Sequence, residues 1–201
     1  MGRLYKACLE RNLKSCFVLG VVTEKYSVAL REIISKDEFF MDLLQCVRSL
    51  QLPQWYIGAG VVRSLVWDTL HHYQVKTQLS DVDVAYYDLT NIDLSCDDEI
   101  RKKLCKLRSG VNWDVFNQAR AHLMTGESVV SCEEAVSTWP ETATCVGVRL
   151  EENGDITLYA PYGLTDLFEL KLRKGPVSYE LFESRVKEKR WLEKWPKLKL
   201  V

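Results

Sequence analysis

A closely spaced pair of aspartates in an otherwise apolar strand is the feature that most constrains the fold of this chain. In the segment SDVDVAYYD, Asp81 and Asp83 alternate with Val82 and Val84, which predicts a β-strand with one apolar face. Residues i and i+2 of a strand project from the same face, so the two carboxylates are expected side by side. Neighbouring carboxylates repel each other and raise each other's pKa unless a cation lies between them. The alternation therefore indicates a cation site on a sheet.

A glycine-containing turn lies upstream of this strand, in the segment WYIGAGVVRSLVWD. The apolar run from Trp55 to Ile57 predicts a buried strand that ends at Gly58, and apolar residues recur at helical spacing from Val62. Free backbone N–H groups at a helix N-terminus bind phosphate, and Gly60 lets a ligand approach the backbone closely. We therefore interpret Gly58 and Gly60 as candidate phosphate-binding residues.

The turn and the aspartates together fit two kinds of site. A dinucleotide site of the Rossmann type also has a glycine turn after a strand and an acid about twenty residues further on. That pattern needs a small residue where this chain has Arg63. A metal-and-phosphate site accounts for more residues, because Arg63 and Ser64 in the first helical turn supply a charge and a hydroxyl to a bound phosphate.

A third acid, Asp114, lies on a later predicted strand, from Val111 to Val115. It alternates with apolar residues, so it projects from the polar face of that strand. If the two strands pair, Asp81, Asp83 and Asp114 gather on one sheet face, and three carboxylates suffice for a two-metal site. Hard oxygen ligands of this kind suit Mg²⁺. The alternative is that these acids are ordinary surface residues and that the glycines form a plain turn.

The predicted elements follow the order helix, strand, helix, strand, helix, strand, helix, hairpin and helix, with Asn153-Gly154 as the hairpin turn. This order predicts an α/β or α+β domain with a small sheet. No internal repeat, low-complexity run or linker interrupts the sequence. We therefore expect a single domain over residues 1–201, with a helical N-terminal part at 1–50 and a C-terminal helix at 178–201.

The charge of the chain is small overall but unevenly distributed. The formal net charge of −1 argues against a general polyanion binder. From Thr77 to Ile100, however, there are seven acids and no Lys or Arg, whereas Lys171 to Val201 contains ten bases and four acids. The basic segment contacts either an anionic substrate such as RNA or the acidic segment of the same domain.

Cysteine usage bears on the cellular compartment. The seven cysteines are irregularly spaced and include no CxxC pair, which argues against a disulfide framework and a zinc site and favours a reducing compartment. The apolar run from Cys16 to Val22 is too short to span a bilayer and lacks the cleavage site of a signal peptide. We expect a cytoplasmic protein with no membrane partner.

Six segments together resemble a bacterial nucleotidyltransferase-like family of the polymerase-β-type nucleotidyltransferase superfamily. The resemblance runs from about Pro53 to Leu198 and implies a small mixed β-sheet flanked by helices. It also implies metal-dependent transfer of a nucleoside monophosphate from a nucleoside triphosphate to an acceptor, with release of pyrophosphate. The segments are GAGVVRSLVWDTLH, LSDVDVAYYD, WDVFNQARAH, STWPETATCVGVRL, YAPYGLTDLF and WPKL.

The resemblance assigns roles to the candidate residues. Asp81 and Asp83 would hold Mg²⁺, or Mn²⁺ in its place, against the triphosphate. Asp114 would complete the second metal site and help to deprotonate the acceptor hydroxyl. Gly58, Gly60 and Ser64 would bind the β- and γ-phosphates. The chain departs from many relatives in having Gly58-Ala59-Gly60 at the turn, where they have Gly-Gly or Gly-Ser, and in a longer gap between Gly60 and Asp81.

Further assignments leave alternatives open. Arg120 either neutralises phosphate charge, since its guanidinium matches phosphate oxygens, or is an ordinary polar residue at a helix start. Trp139 either stacks on a base whose edge Glu141 reads, or packs in the core. The acceptor is a small molecule, a protein or RNA, and RNA would use the basic C-terminal segment. A non-catalytic nucleotide-binding or toxin–antitoxin-type module with the same fold is the alternative to an enzyme.

Overall fold

The computed structural model describes residues 24–126 and 128–201. Residues 1–23 of the predicted helical N-terminal part, including the apolar run from Cys16 to Val22, lie outside the described residues. The next segments are helical, at 24–35 (α1) and Glu38–Ser49 (α2). Asp37 caps α2 by accepting a hydrogen bond of 2.9 Å from the Phe40 N–H, which satisfies one of the free donors at the start of the helix.

The remaining elements are seven short strands and a series of helices in the described residues. They are β1 Tyr56–Gly58, α3 Gly60–His71, β2 Val82–Tyr86, α4 Leu94–Leu107, β3 Trp113–Asn117, a 3₁₀ turn Gln118–Arg120, α5 His122–Thr125, α6 Cys132–Ser137, β4 Gly147–Leu150, β5 Ile156–Tyr159, α7 Thr165–Phe168, β6 Lys171–Leu172, α8 Tyr179–Lys189, α9 Trp191–Lys194 and β7 Lys199–Leu200.

Five strands form one mixed sheet in the order β3-β2-β1-β4-β5. The β2–β3 pair is parallel, and the pairs of β1 with β2 and β4 and of β4 with β5 are antiparallel. The predicted small mixed sheet flanked by helices is therefore confirmed. The predicted hairpin is also confirmed, because β4 pairs with β5 across Gly154, which has a φ of 90°.

The sheet buries apolar side chains on both faces because neighbouring residues of a strand point in opposite directions. In β1, Ile57 belongs to the larger core and Tyr56 to a smaller cluster on the other face. In β2, Val84 and Ala85 divide in the same way, so Asp83 projects from the face of the smaller cluster. The larger core also receives Trp67, Trp191 and Trp195 from α3 and the C-terminal segment.

The predicted C-terminal helix at 178–201 is wrong as a single element. The chain breaks at Arg190, whose φ is 52°, between α8 and α9, and it ends in strand β7, which pairs with β6. The break allows both Trp191 and Trp195, each 1% exposed, to enter the core. None of the helices in the described residues is long and apolar enough to cross a bilayer.

Candidate active site

The pairing of β2 with β3 brings two of the predicted carboxylates together. Asp83 lies directly opposite Asp114 in the parallel register, and Gly58 lies opposite Asp83 in the antiparallel β1–β2 pair. Residues in register share a face, so Asp83 and Asp114 project from the same side of the sheet. The third predicted carboxylate, Asp81, immediately precedes β2.

The three aspartates line one cleft with a volume of about 690 Å³. We call Asp81, Asp83 and Asp114 the acidic wall of this cleft. A second wall comes from the end of the chain, and we call it the C-terminal wall; it comprises Arg185, Lys189, Trp191, Lys194 and Trp195. The first turn of α3 also lines the cleft, with Gly60, Arg63 and Ser64. Six of the eight predicted site residues line this cleft, whereas Gly58 and Arg120 do not.

The acidic wall carries unfavourable charge in the absence of a cation. Burial and then the charges of Asp81 and Asp114 raise the pKa of the half-buried Asp83 to about 6. A hydrogen bond from the Gly60 N–H and the charge of Arg63 oppose this rise only in part. A bound cation would remove the repulsion, which is the reason that such clusters hold metals.

The donors of the acidic wall fit a hard divalent cation. Oδ2 of Asp83 and Oδ1 of Asp81 lie 3.9 and 4.0 Å from one point, the position that a Cβ atom on Gly60 would occupy. Mg²⁺ commonly takes one or two carboxylates and completes its octahedron with water and phosphate oxygens. Within the described residues, no group of three or more His, Cys, Asp or Glu side chains already converges as a metal-binding cluster. A cation here would therefore need oxygens from water or substrate.

The two glycines of the turn have different environments. A Cβ atom on Gly60 would make only ordinary contacts, the nearest being Nη2 of Arg63 at 3.7 Å. A Cβ atom on Gly58 would lie 2.6 Å from the Trp139 ring and 2.7 Å from the carbonyl oxygen of Val146. Gly60 therefore borders open space in the cleft, whereas Gly58 lies behind it. The predicted phosphate contact of Gly58 does not agree with this placement, because its close neighbours are Trp139 and backbone.

Arg63 occupies an aromatic cage in the cleft. Its guanidinium carbon lies 4.8, 5.4 and 5.6 Å from the ring centroids of Trp191, Trp67 and Trp195. Its Nη2 lies 3.4 Å from Oγ of the buried Ser64, and its Nε is buried without a hydrogen-bond partner. Burial lowers the pKa of Arg63 to about 10, which still leaves it charged at neutral pH. The chain thus holds a partly unsatisfied cation beside the acidic wall.

Arg120 lies away from the cleft. Its buried guanidinium forms an ion pair with Asp97 and donates to the carbonyl oxygens of Ile92 and Asp93 at 3.2 and 3.3 Å. Tyr86 donates to the same Asp97 carboxylate at 2.6 Å. The predicted phosphate contact of Arg120 is therefore a misassignment: the 3₁₀ turn after β3 directs the side chain towards the start of α4, where its charge is already paired.

Trp139 and Glu141, the two residues considered for base recognition, have different positions. Trp139 lines the cleft, while Glu141 is 0% exposed and cannot read a base edge there. Glu141 instead accepts hydrogen bonds from Arg185, which the sequence did not single out. Arg185 lies three residues after the buried Phe182 in α8. That helical spacing was the available signal that Arg185 points inward.

A family model and solved structures both relate the chain to nucleotidyltransferases. A family model described as nucleotidyltransferase matches residues 45–200. A solved structure described as a CCA-adding enzyme head domain is 30% identical with a TM-score of 0.75, covering 86% of this chain and 94% of that one. The Thermotoga maritima CCA-adding enzyme complexed with tRNA is 14% identical with a TM-score of 0.54, covering 85% and 42%. A CCA-adding enzyme bound to ATP is 14% identical with a TM-score of 0.50, covering 79% and 38%.

The mixed sheet, the glycine turn and the acidic wall define the polymerase-β-type nucleotidyltransferase class. The chain belongs to the nucleotidyltransferase family, and it is a nucleotidyltransferase with a nucleotide-binding fold. It spans less than half the length of the two whole CCA-adding enzymes, 42% and 38%, and with these it shares the fold alone. No curated protein sequence matches the chain.

Proposed function

We propose that this protein transfers a nucleoside monophosphate from a nucleoside triphosphate to an acceptor hydroxyl with the help of Mg²⁺, or of Mn²⁺ in its place. One observation carries the proposal: Asp81, Asp83 and Asp114 line one cleft together with Gly60 and Arg63 at the start of α3. Carboxylates beside a helix N-terminus and a cation are the groups that a metal–triphosphate complex requires.

The reaction forms one bond to phosphorus and breaks another. The acceptor oxygen attacks the α-phosphorus, the bond from that phosphorus to the bridging oxygen breaks, and pyrophosphate leaves with the bonding electrons. Asp114, the exposed member of the acidic wall, accepts the acceptor's proton. Asp81 and Asp83 would hold the divalent cation, whose charge would neutralise that of the triphosphate. Most of the rate enhancement in such transfers comes from positioning and electrostatics.

The first turn of α3 binds the β- and γ-phosphates in this proposal. Gly60 leaves space for a phosphate close to the backbone, and Ser64 contributes its hydroxyl. The caged guanidinium of Arg63 adds a fixed positive charge, and its Nε is buried without a hydrogen-bond partner among the described residues.

We further propose RNA as the acceptor. Lys189 and Lys194 line the cleft, and among the described residues neither forms an ion pair. In the same part of the chain, no salt bridge joins a base of Lys171 to Val201 with an acid of Thr77 to Ile100. Lys189 and Lys194 are thus available to a phosphate backbone, whose contacts with lysine and arginine depend on salt. The Thermotoga maritima CCA-adding enzyme, which has a similar fold, forms a complex with tRNA, and this supports the same acceptor.

Incubation with each labelled nucleoside triphosphate and Mg²⁺, with and without a pool of small RNAs, tests the proposal. We expect pyrophosphate release and labelled RNA 3′ ends, both lost in Asp81→Asn and Asp83→Asn and retained in Asp98→Asn, an exposed acid outside the cleft. Nucleotide binding without turnover would support the non-catalytic module instead. Turnover with protein or small-molecule acceptors, but not with RNA, would refute only the choice of acceptor.

A further inference from the structure

The C-terminal wall places a second guanidinium in the cleft. Nε and Nη2 of Arg185 donate to Oε1 and Oε2 of Glu141 at 2.6 and 3.4 Å. Glu141 is fully buried and also accepts a hydrogen bond of 3.0 Å from Thr144 Oγ1. A buried carboxylate that is bonded on both oxygens holds its arginine in a defined orientation. Arg185 is therefore fixed where α8 borders the cleft.

Arg63 and Arg185 are linked through one tryptophan. The guanidinium carbons lie 4.8 and 5.9 Å, respectively, from the ring centroid of Trp191, which is 1% exposed. Cation–π contacts of this length are favourable and directional. Because Trp191 is anchored in the core, it constrains both arginines at once.

Arg63 and Arg185 carry one positive charge each, and of the two only Arg185 forms an ion pair with Glu141 in the described residues. Beyond burial, the pKa of Arg63 responds to the charges of Glu141 and Arg185 and, on the other side, to those of Asp83 and Asp81. Arg63 is thus close to both walls, whereas the hydrogen bonds of Glu141 to an arginine in the described residues go to Arg185. A polyanion bound between the walls would neutralise the positive charge of the two arginines. A divalent cation bound with it would neutralise the negative charge of the acidic wall.

Both arginines have donors left for such a ligand. Nε of Arg63 is buried without a partner, and in the described part of the chain no hydrogen bond is formed by Nη1 of Arg185. The buried, unsatisfied Nε of Arg63 is costly, the Arg185 side chain is 30% exposed, and phosphate oxygens match the fork of a guanidinium. A triphosphate supplies several such oxygens in a row, whereas a nucleobase edge supplies at most a few acceptors.

We propose that Arg185 is a second arginine ligand of the bound triphosphate, paired with Arg63, and that Glu141 is its positioning residue. The inference rests on the proposed function, because it assumes that the cleft binds a nucleoside triphosphate. The acidic wall and the turn alone form a triphosphate site without the C-terminal segment, and this assignment adds Arg185 of that segment to it.

Calorimetric titration tests this assignment with inorganic tripolyphosphate, a non-hydrolysable nucleoside triphosphate and a nucleoside monophosphate, each with Mg²⁺. We expect Arg185→Gln to weaken binding of the first two by about tenfold to hundredfold, the size of a charge-assisted hydrogen bond. Binding of the monophosphate should change by less than about twofold. Lys187→Gln, an exposed cation of the same helix, is the matched control and should bind as the wild type does.

Folding is controlled with a double variant. Arg185→Gln leaves Glu141 buried without its cation, which can unfold the domain, whereas Glu141→Gln with Arg185→Gln allows an amide–amide hydrogen bond and removes both charges. We expect a folded double variant with the same loss of tripolyphosphate binding. Unchanged tripolyphosphate binding, or an equal loss for the monophosphate, would overturn the assignment. In that case wild-type turnover of nucleoside triphosphates would leave the proposed function standing.

Discussion

The indole Nε1 of Trp195 donates a hydrogen bond of 2.7 Å to Oδ1 of Asp68, across 127 residues of sequence. The same buried carboxylate accepts two further bonds of 2.7 Å, from the N–H and Oγ1 of Thr77. Asp68 therefore fixes two segments to α3: the C-terminal wall and the loop that leads to Asp81. Both walls of the cleft depend on one side chain that lies outside it.

Replacement of this carboxylate should destabilise the whole domain. In Asp68→Ala, the indole N–H and the Thr77 N–H lose their partner in a buried site, at a cost of about 2 to 4 kcal/mol. Urea denaturation measures this loss. Asp98→Ala, in the exposed part of α4, should change the free energy of unfolding by less than about 0.5 kcal/mol. Similar values for the two variants would show that Asp68 does not anchor these segments.

The charge of Asp83 should make the wild-type protein less stable as the pH rises. The pKa of this carboxyl is about 6 in the folded protein against 3.8 ordinarily, so between these values the native state holds a proton that the unfolded chain has released. Stability then falls with rising pH across that window. In Asp83→Asn this loss is absent, so we expect the variant to exceed the wild type by about 1 to 3 kcal/mol at pH 7.5.

The comparison of the two proteins at several pH values separates this effect from a simple change in packing. At about pH 4 the wild-type carboxyl is protonated in the native state, and the two free energies of unfolding should nearly coincide. The neutral amide that Asp83→Asn introduces cannot replace a metal-binding carboxylate, so the more stable variant should also be inactive. A constant difference from pH 4 to 7.5 would contradict the electrostatic explanation.

The two glycines of the turn should respond oppositely to alanine. In Gly58→Ala, the new methyl group meets the Trp139 ring and the Val146 carbonyl at 2.6 and 2.7 Å, and overpacking of this kind costs about 1 to 3 kcal/mol. Gly60→Ala meets only atoms at 3.7 to 4.0 Å, so its thermal unfolding should match the wild type. Its methyl group would, however, occupy the point between Arg63 and the two aspartates.

Gly58→Ala should therefore be the less stable of the two variants, and Gly60→Ala should be the one with the weaker nucleotide affinity. We expect Gly60→Ala to bind a non-hydrolysable nucleoside triphosphate at least about tenfold more weakly than the wild type. Gly58→Ala, assayed well below its melting temperature, should bind it with nearly native affinity. Equal affinities for the wild type and Gly60→Ala would remove this glycine from the phosphate site.

Strand parity explains why the acidic wall was predictable. In a strand the direction of a side chain depends on whether its position is odd or even, so alternation in two segments was enough to place Asp81, Asp83 and Asp114 on matching faces. The two strands do pair, and Asp83 lies opposite Asp114 in their register. The hairpin at Asn153-Gly154 followed in the same way from local chemistry, since such a turn needs residues that accept positive φ.

Partners of buried charges were not predictable from the sequence. Arg120 pairs with Asp97 over 23 residues and Glu141 with Arg185 over 44 residues. No local periodicity encodes such pairs, so a ligand contact of Arg120 and of Glu141 remained one of two alternatives in the sequence analysis. The break at Arg190 has a similar origin: helical spacing of Trp191 and Trp195 fits a continuous helix equally well, and only the position of the core decides.

The backbone of Ala59, at the turn before α3, should carry a measurable strain. Ala59 has φ 51° and ψ −116° at the N-cap of α3, a conformation that glycine adopts freely and that costs another residue about 1 to 3 kcal/mol. Ala59→Gly relieves this strain but adds freedom to the unfolded chain, which offsets roughly 0.4 to 1 kcal/mol. We therefore expect a net stabilisation of about 1 kcal/mol in urea denaturation, with nucleotide binding retained.

Ala29→Gly, the same change within α1, is the control for Ala59→Gly and should instead destabilise the protein by about 1 kcal/mol. Destabilisation of both variants by the same amount would show that the turn holds Ala59 without strain.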